Sequence, residues 1–378
     1  MRCGVAMTLM NYTAWPAFDH WEATGEWADP PVPDHRVVEE DIALGLLSDS
    51  LGFDSLWTVE HHATPYNMCT NTLQWLTFFA GATRNVDFGT MVIVLPWHNP
   101  VRVAEDITML HNLIGENRRL TIGVGRGAGR REFKALGVPM DESRERFLES
   151  VDIIRGLLSN DVFSYDGKHY QVPSMSIRPQ PRNGQELVDG MHCAWGSAQT
   201  IPIAAEAGLK PLVIPQKPWE EYVKDLDQFE TLRAGKGHEA ADPVVALTVY
   251  CAENEEQARE TADVHFHEYM DAAVRSYELH SRHFATTKGY EAYAQAADAV
   301  LDRESMAKTM GDMWVANHVW GTPEMCLEKI RRVKDMLHPS EIVLLPRVGS
   351  MPYSVCEESL RLFAREVLPA VHEIEVAA

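Results

Sequence analysis

Three short clusters in this chain carry residues that do chemistry. Glu60-His61-His62 sets a carboxylate beside two imidazoles. Histidine exchanges protons near neutral pH or ligates a metal. In a protein core the same residues would be a buried Glu–His pair that only orients loops. Gly123-Val-Gly-Arg-Gly-Ala128 puts Arg126 among glycines, with Arg130 and Arg131 following. Glycine lets a backbone approach a ligand closely, and a guanidinium fork suits a phosphate. The stretch also fits the dinucleotide pattern G-x-G-x-x-A. It lies far from the N-terminus, however, and Arg130-Arg131-Glu132-Phe133 is no clean helix start for that pattern. A tight turn that merely needs glycines is the plain alternative. The third cluster, Trp195-Gly196-Ser197-Ala198-Gln199-Thr200, opens a predicted helix. Ser197 and Thr200 are capping types, and a helix start with free amides also receives phosphate.

Other histidines offer less. His265 and His267 are two apart and face different sides of a helix. His280 and His283 could share a face, but no H-E-x-x-H pattern accompanies them, so no metal is expected. Trp97 and His98 follow a strand and are candidates for a pocket wall or for the core. The six cysteines are scattered without a C-x-x-C pair, which predicts free thiols rather than a zinc site or disulfide framework.

The elements that must position these clusters alternate. Strand patterns fall at Cys3–Leu9, Phe53–Val59, Val86–Leu95, Leu120–Val124, Leu187–Trp195, Leu209–Ile214, Val244–Cys251 and Glu341–Pro346. Helical periodicity lies between them, for example at Val37–Leu51, Thr72–Thr83, Pro100–Ile114 and Asp141–Leu158. Eight alternating β and α units predict an α/β fold, a (β/α)8 TIM barrel, over residues 1–378 as a single domain. An open doubly wound sheet is the alternative. Glu60, Arg126 and Ser197 each follow a strand, where barrels place their chemistry. A long aromatic loop, Asn11 to His35, follows strand 1. Phe163 to Tyr170 reads as a hairpin with Asp166-Gly167 in its turn. A helical insertion at about 252–321 lies between strands 7 and 8; it and the strand 1 loop are candidate walls of a pocket.

Composition narrows the partners. A net charge of −21 over 378 residues argues against nucleic acid and anionic membranes. The N-terminus lacks a signal-peptide pattern and no apolar run is long enough to cross a membrane, so a cytoplasmic enzyme is expected.

Together these residues resemble the bacterial luciferase-like flavin-dependent monooxygenase family. The resemblance rests on Leu51-Gly-Phe-Asp-Ser-Leu-Trp57 running into Glu60-His61-His62, on Gly89-Thr-Met-Val-Ile-Val-Leu-Pro96 with His98-Asn-Pro-Val-Arg-Val-Ala-Glu105, and on Arg119 to Gly127. Gly321-Thr-Pro-Glu324 and Arg361 to Pro369 extend it. It implies a (β/α)8 barrel that uses FMN as FMNH2, supplied by a separate NAD(P)H flavin reductase. Oxygen adds to the flavin at C4a, and the peroxide attacks a small organic substrate. The family's phosphate arginine falls on Arg126 and a second on Arg144. Its phosphate-contacting loop falls on Gly196, Ser197 and Thr200, and its active-site histidine on His61, beside Glu60. A non-proline cis peptide under the flavin ring falls at Met91–Val92. Trp15, Trp97, His98, Trp195, Tyr277 and His280 are then candidates for the substrate side. A homodimer through the helices after strands 2 and 3 is implied as well. Gly125 replaces a reactive cysteine, which argues against light emission. The alternatives are an F420-dependent dehydrogenase or reductase on the same fold, a metal-dependent barrel hydrolase, and a silent flavin-binding subunit of a heterodimer.

Overall fold

The computed structural model describes residues 1–194, 200–290 and 302–376. The chain starts with β1 (Arg2–Met7), α1 (Trp15–Thr24), α2 (Asp34–Leu51) and β2 (Ser55–Thr58). Next come α3 (Thr72–Ala82), β3 (Asp87–Thr90), β4 (Ile93–Val94) and α4 (Pro100–Ile114). β5 (Leu120–Thr121), β6 (Gly123–Gly125), α5 (Arg130–Ala135) and α6 (Ser143–Ser159) follow. The hairpin β7 (Phe163–Asp166) and β8 (Gln171–Met175) precedes α7 (Gly184–Asp189) and β9 (His192–Ala194). Then come α8 (Ile201–Glu206), β10 (Lys210–Val213), α9 (Trp219–Gly235), β11 (Val244–Cys251), α10 (Glu255–Tyr277) and α11 (His283–Thr286). The chain continues with α12 (Arg303–Asn317), β12 (Val319–Gly321), α13 (Pro323–Leu337), β13 (Glu341–Leu345) and α14 (Tyr353–Glu366).

The main sheet is parallel, in the order β4-β6-β9-β10-β11-β13-β1-β2-β3-β5, with β12 on β11. It curls strongly, in a half-barrel arc with helices outside, as parallel sheets covered by crossover helices do. Its strands are buried runs; all eight residues of β11 and all five of β13 are buried. Local signals set the helices. Asn99 accepts from the Val101 and Arg102 amides ahead of Pro100, and α4 then buries Val103, Ile107, Leu110 and Ile114 at helical spacing. Gly52 ends α2 at φ +88, a conformation that suits glycine.

Three features differ from the sequence expectation. The strand expected at Leu187–Trp195 begins as helix α7, because Asn183 caps the Glu186 amide and the apolar Leu187-Val188 pair packs inward equally well from a helix. A short apolar run does not distinguish the two. The aromatic loop after β1 holds a helix of its own, α1, started by Pro16. The third and fourth expected strands are each broken once, at Met91–Val92, whose peptide bond is cis, and at Ile122. As expected, the insertion is helical: among its described residues two long helices, α10 and α12, pack on each other.

Where the third and fourth strands break, a side chain replaces the ladder. Thr90 Oγ1 donates to Gly123 O at 2.8 Å and accepts from Gly123 N at 2.9 Å. Thr90 is fully buried. No helix among the described residues is long and apolar enough to cross a membrane. Replacing Thr90 by valine keeps shape but strands two buried backbone groups, so urea denaturation should show a loss of about 1–3 kcal/mol.

Candidate active site

Glu60 follows β2 and is 3% exposed. One carboxylate oxygen meets His62 Nε2 at 2.9 Å and His98 Nε2 at 2.5 Å; the other accepts from Val94 N at 2.7 Å. Burial pushes the Glu60 carboxyl up, but the bonds from His62 and His98 outweigh it and hold it below the usual range. His98 responds in kind. Its burial disfavours the cation, while Glu60 more than restores it, and its pKa is raised. Glu60 stands beside His61 among the expected active-site residues, and here its two oxygens hold three groups in place. The ligand atoms of Glu60, His62 and His98 lie within 4.8 Å of one another, a set of metal-binding types, here closed on itself by hydrogen bonds.

His61 points the other way, into a cavity. Its Nδ1 lies 2.9 Å from Glu132 Oε1, and its Nε2 lies 3.3 Å from the Tyr277 hydroxyl. Glu132 Oε1 also accepts from the His62 amide at 2.9 Å. An ionised carboxylate only accepts, so the neutral imidazole carries its proton on Nδ1 and presents Nε2 as the acceptor. Glu132 was missed in the sequence. It sits in the first turn of α5, which begins at Arg130 on Gly129, where no helix start was expected. Its signal was an acidic residue in the first turn after a glycine loop.

The glycine loop follows β6 and does something other than expected. A Cβ at Gly125 would lie 2.5 Å from Val92 Cγ2, and one at Gly127, whose φ is +75, would lie 2.7 Å from Val94 Cγ1 and 3.0 Å from Trp97. These glycines let the loop close on the wall beside it, which is protein rather than ligand. The arginines then separate. Arg130 pairs with Glu278, and Arg131 with Glu22 while lying over the Phe18 ring; both tie neighbouring loops together. Arg126 and Arg144 converge instead. Arg126 Nη1 and Arg144 Nε are buried with no hydrogen-bond partner among the described residues. Arg126 Nη1 and Arg144 Nη2 both approach the Cβ position of Gly289, at 2.9 and 3.3 Å. Partnerless buried guanidinium atoms are the donor set of an anion site.

The cavity joins these parts. It is lined by His61, Glu132, Arg126 and Thr200, by Met91 and Val92 at the cis peptide, and by Trp97 and Tyr277. Its far wall is built by residues the sequence did not single out: Tyr66, and Tyr269 and Trp314 from α10 and α12. Tyr66 and Tyr269 bond hydroxyl to hydroxyl at 3.1 Å. They were hidden because a tyrosine at helical spacing reads as core. Trp15 is placed elsewhere, buried against Phe18 and under Arg275. His98 serves Glu60, and His280 and Arg144 are not among the lining residues. Trp195, Gly196 and Ser197 lie outside the described residues. Of the other histidines, His265 bonds Glu268 and His267 bonds Asp312.

The Glu60 hub makes stability pH-dependent. The Glu60 contribution is present above the ordinary carboxyl range and is lost as pH falls through its lowered pKa. The His98 contribution is full below the ordinary histidine value and is lost as pH rises through its raised pKa. His192 and His318, whose pKa burial lowers to about 4 and about 3, work the other way and add stability as pH rises. The test is therefore a difference: the urea stability lost on His98→Ala should be larger at mildly acidic than at alkaline pH.

With this geometry in view, the chain compares with known proteins as follows. Residues 20–338 match the model of the family described as Luciferase-like monooxygenase. The chain is 27% identical over 347 residues to the alkanal monooxygenase alpha chain of Photobacterium leiognathi, covering 90% of this chain and 95% of that one. It resembles the oxygenating constituent of 3,6-diketocamphane monooxygenase from Pseudomonas putida, a type II Baeyer–Villiger monooxygenase solved with FMN. The TM-score is 0.72 at 18% identity, over 100% of this chain and 99% of that one. An F420-dependent secondary alcohol dehydrogenase shares the fold at TM-score 0.69 and 15% identity, with 98% of each chain covered. By the match over most of its length the chain belongs to the Luciferase-like monooxygenase family, and it is an oxidoreductase.

Proposed function

We propose that this protein is a two-component monooxygenase that binds FMNH2 from a separate flavin reductase and inserts one atom of O2 into a small organic substrate. The observation that carries this is the convergence of Arg126 and Arg144, each with one buried guanidinium nitrogen that has no hydrogen-bond partner among the described residues, beside a cavity that Arg126 and His61 both line. The donor set fits a flavin's phosphate, and Thr200 lines the same cavity as Arg126; Gly196 and Ser197, also expected to contact that phosphate, lie outside the described residues. Met91 and Val92 would lie beneath the ring. We read the curled sheet as a closed (β/α)8 barrel, since β3 pairs β5 and β4 pairs β6 across the two strand breaks.

Within that site the reduced flavin supplies electrons to O2, and the chain supplies position and proton control. Arg126 and Arg144 neutralise the phosphate and set the depth of the cofactor. His61 Nε2 takes or returns a proton at the reacting end, with Tyr277 beside it. Glu132 holds the imidazole on its Nδ1 side and so orients Nε2. Tyr66, Tyr269 and Trp314, all buried, keep water from the substrate side. The arginine pair would equally accept the phosphate of a deazaflavin; consumption of O2 separates that dehydrogenase reading from this one.

The assay combines FMN, NADH, a flavin reductase and O2. Arg126→Ala should weaken reduced FMN binding by about tenfold or more. An unchanged affinity would sink the assignment. His61→Ala should leave FMN affinity near wild type yet release H2O2 about tenfold faster on mixing with O2.

The partner surface of a homodimer is proposed on α3 and α4. Phe78, Met109 and Leu113 are 48%, 49% and 54% exposed there, an apolar patch on the helices after β2 and β4. Sedimentation velocity should give a dimer for the wild type and a monomer for Met109→Lys combined with Leu113→Lys.

A further inference from the structure

The hub at Glu60 has a second capacity. Glu60 Oε1 meets His62 Nε2 at 2.9 Å and His98 Nε2 at 2.5 Å, and these three ligand-type atoms all lie within 4.8 Å of one another. They come from two places in the fold. Glu60 and His62 lie on the loop after β2, and His98 follows the short turn Leu95–Trp97 after β4. The two imidazoles stand far apart in the sequence, so no ligand spacing announces them. A metal site also needs a support and a way in. The support is the Val94 amide, which fixes Glu60 Oε2 at 2.7 Å and thereby aims Oε1. The way in is on the imidazole side: the Glu60 side chain is 1% exposed, that of His62 16% and that of His98 28%.

We propose that Glu60 Oε1, His62 Nε2 and His98 Nε2 form a binding site for a divalent transition-metal ion of the zinc class, with water completing its shell. Two imidazoles and a carboxylate suit Zn²⁺, Co²⁺ or Ni²⁺, whereas Ca²⁺ and Mg²⁺ take oxygen ligands. Bonds of about 2.0–2.2 Å set ligand atoms about 3.3 Å apart, so His98, the more exposed ring, recedes by less than about 1 Å. The ion replaces the hydrogen bonds that join both rings to the carboxylate, and each ring then carries its proton on Nδ1. Its place is behind the cavity wall. Glu60 lines the cavity that His61 lines, while His62 and His98 are not among the lining residues. The ion is therefore structural: it clamps the loop after β2 to the segment after β4 and stiffens the wall that carries His61 and Trp97. The proposal is independent of the flavin reading.

The test titrates chelator-stripped protein with Co²⁺ and follows its visible d–d absorption. The wild type should bind one equivalent with a Kd of about 10 μM or tighter, and Zn²⁺ should displace it. Saturating Zn²⁺ should raise the Tm by about 2 °C or more. His98→Ala should weaken Co²⁺ binding by at least about tenfold and abolish the rise in Tm. His98→Gln, which keeps an N–H toward Glu60 but ligates poorly, should show the same loss and serves where the alanine variant folds badly. His267→Ala removes an imidazole beside Asp263 and Asp312 on α10 and should bind Co²⁺ as the wild type does. Weaker binding by the wild type, a Tm indifferent to Zn²⁺, or an affinity that the His98 variants leave unchanged overturns the site. So does loss of the Co²⁺ signal in His267→Ala.

Discussion

A buried carboxylate, Glu60, is the constraint from which the site is built. An ion under that much protein is costly unless its oxygens are matched by donors. Matching it requires the Val94 amide and two imidazoles to meet at one point. That draws the loop after β2 against the end of β4 and sets His62 edge-on to Trp97. Trp97 and Val94 form the surface on which Gly127 closes, and the closed loop carries Arg126. The position of Arg126 thus follows from the satisfaction of one acid some residues away in the chain. His61, flanked by Glu60 and His62, is turned to the opposite side and left for the cavity.

Glu132 applies the same logic once more. It takes the His62 amide and His61 Nδ1 on one oxygen, so the loop after β2 is pinned from two sides by two acids. The result is an imidazole with a defined tautomer in a cavity wall that also carries aromatic rings and methionines. The strongly acidic chain concentrates its cations here. Arg130 and Arg131 tie the glycine loop to the end of α10 and to α1 through ion pairs, while Arg126 and Arg144 form none among the described residues. Neighbouring arginines in one sequence cluster therefore have different tasks, divided by which of them a carboxylate can reach.

Much was legible before any coordinates. Strand patterns found all eight principal β segments, because buried parallel strands are short apolar runs. Helical periodicity announced α4 at Pro100–Ile114, the bounds it has in the structure. His61 and Arg126 stood out because an imidazole and a guanidinium set among glycines directly follow strands, where barrels place their chemistry. Glu132, Tyr66, Tyr269 and Trp314 did not, since an acid in a first turn reads as a helix-dipole partner and aromatic residues at helical spacing read as core. Trp15 was misplaced for the converse reason. An aromatic residue in a presumed loop looked like a pocket wall, but the segment folds into α1 and packs its ring away.

The chain's local chemistry settles the alternation of strands and helices, the residue types at strand ends, the cation cluster in an acidic protein and the family resemblance they carry. These depend on periodicity and capping, which act over a few residues. The fold alone decides which carboxylate meets which histidine, which arginines stay unpaired, and that residues 278–290 lie over a loop some 150 positions earlier. Such pairings join groups far apart in sequence, and their energies depend on burial and distance, which exist only after the sheet has curled and brought its loops to one end.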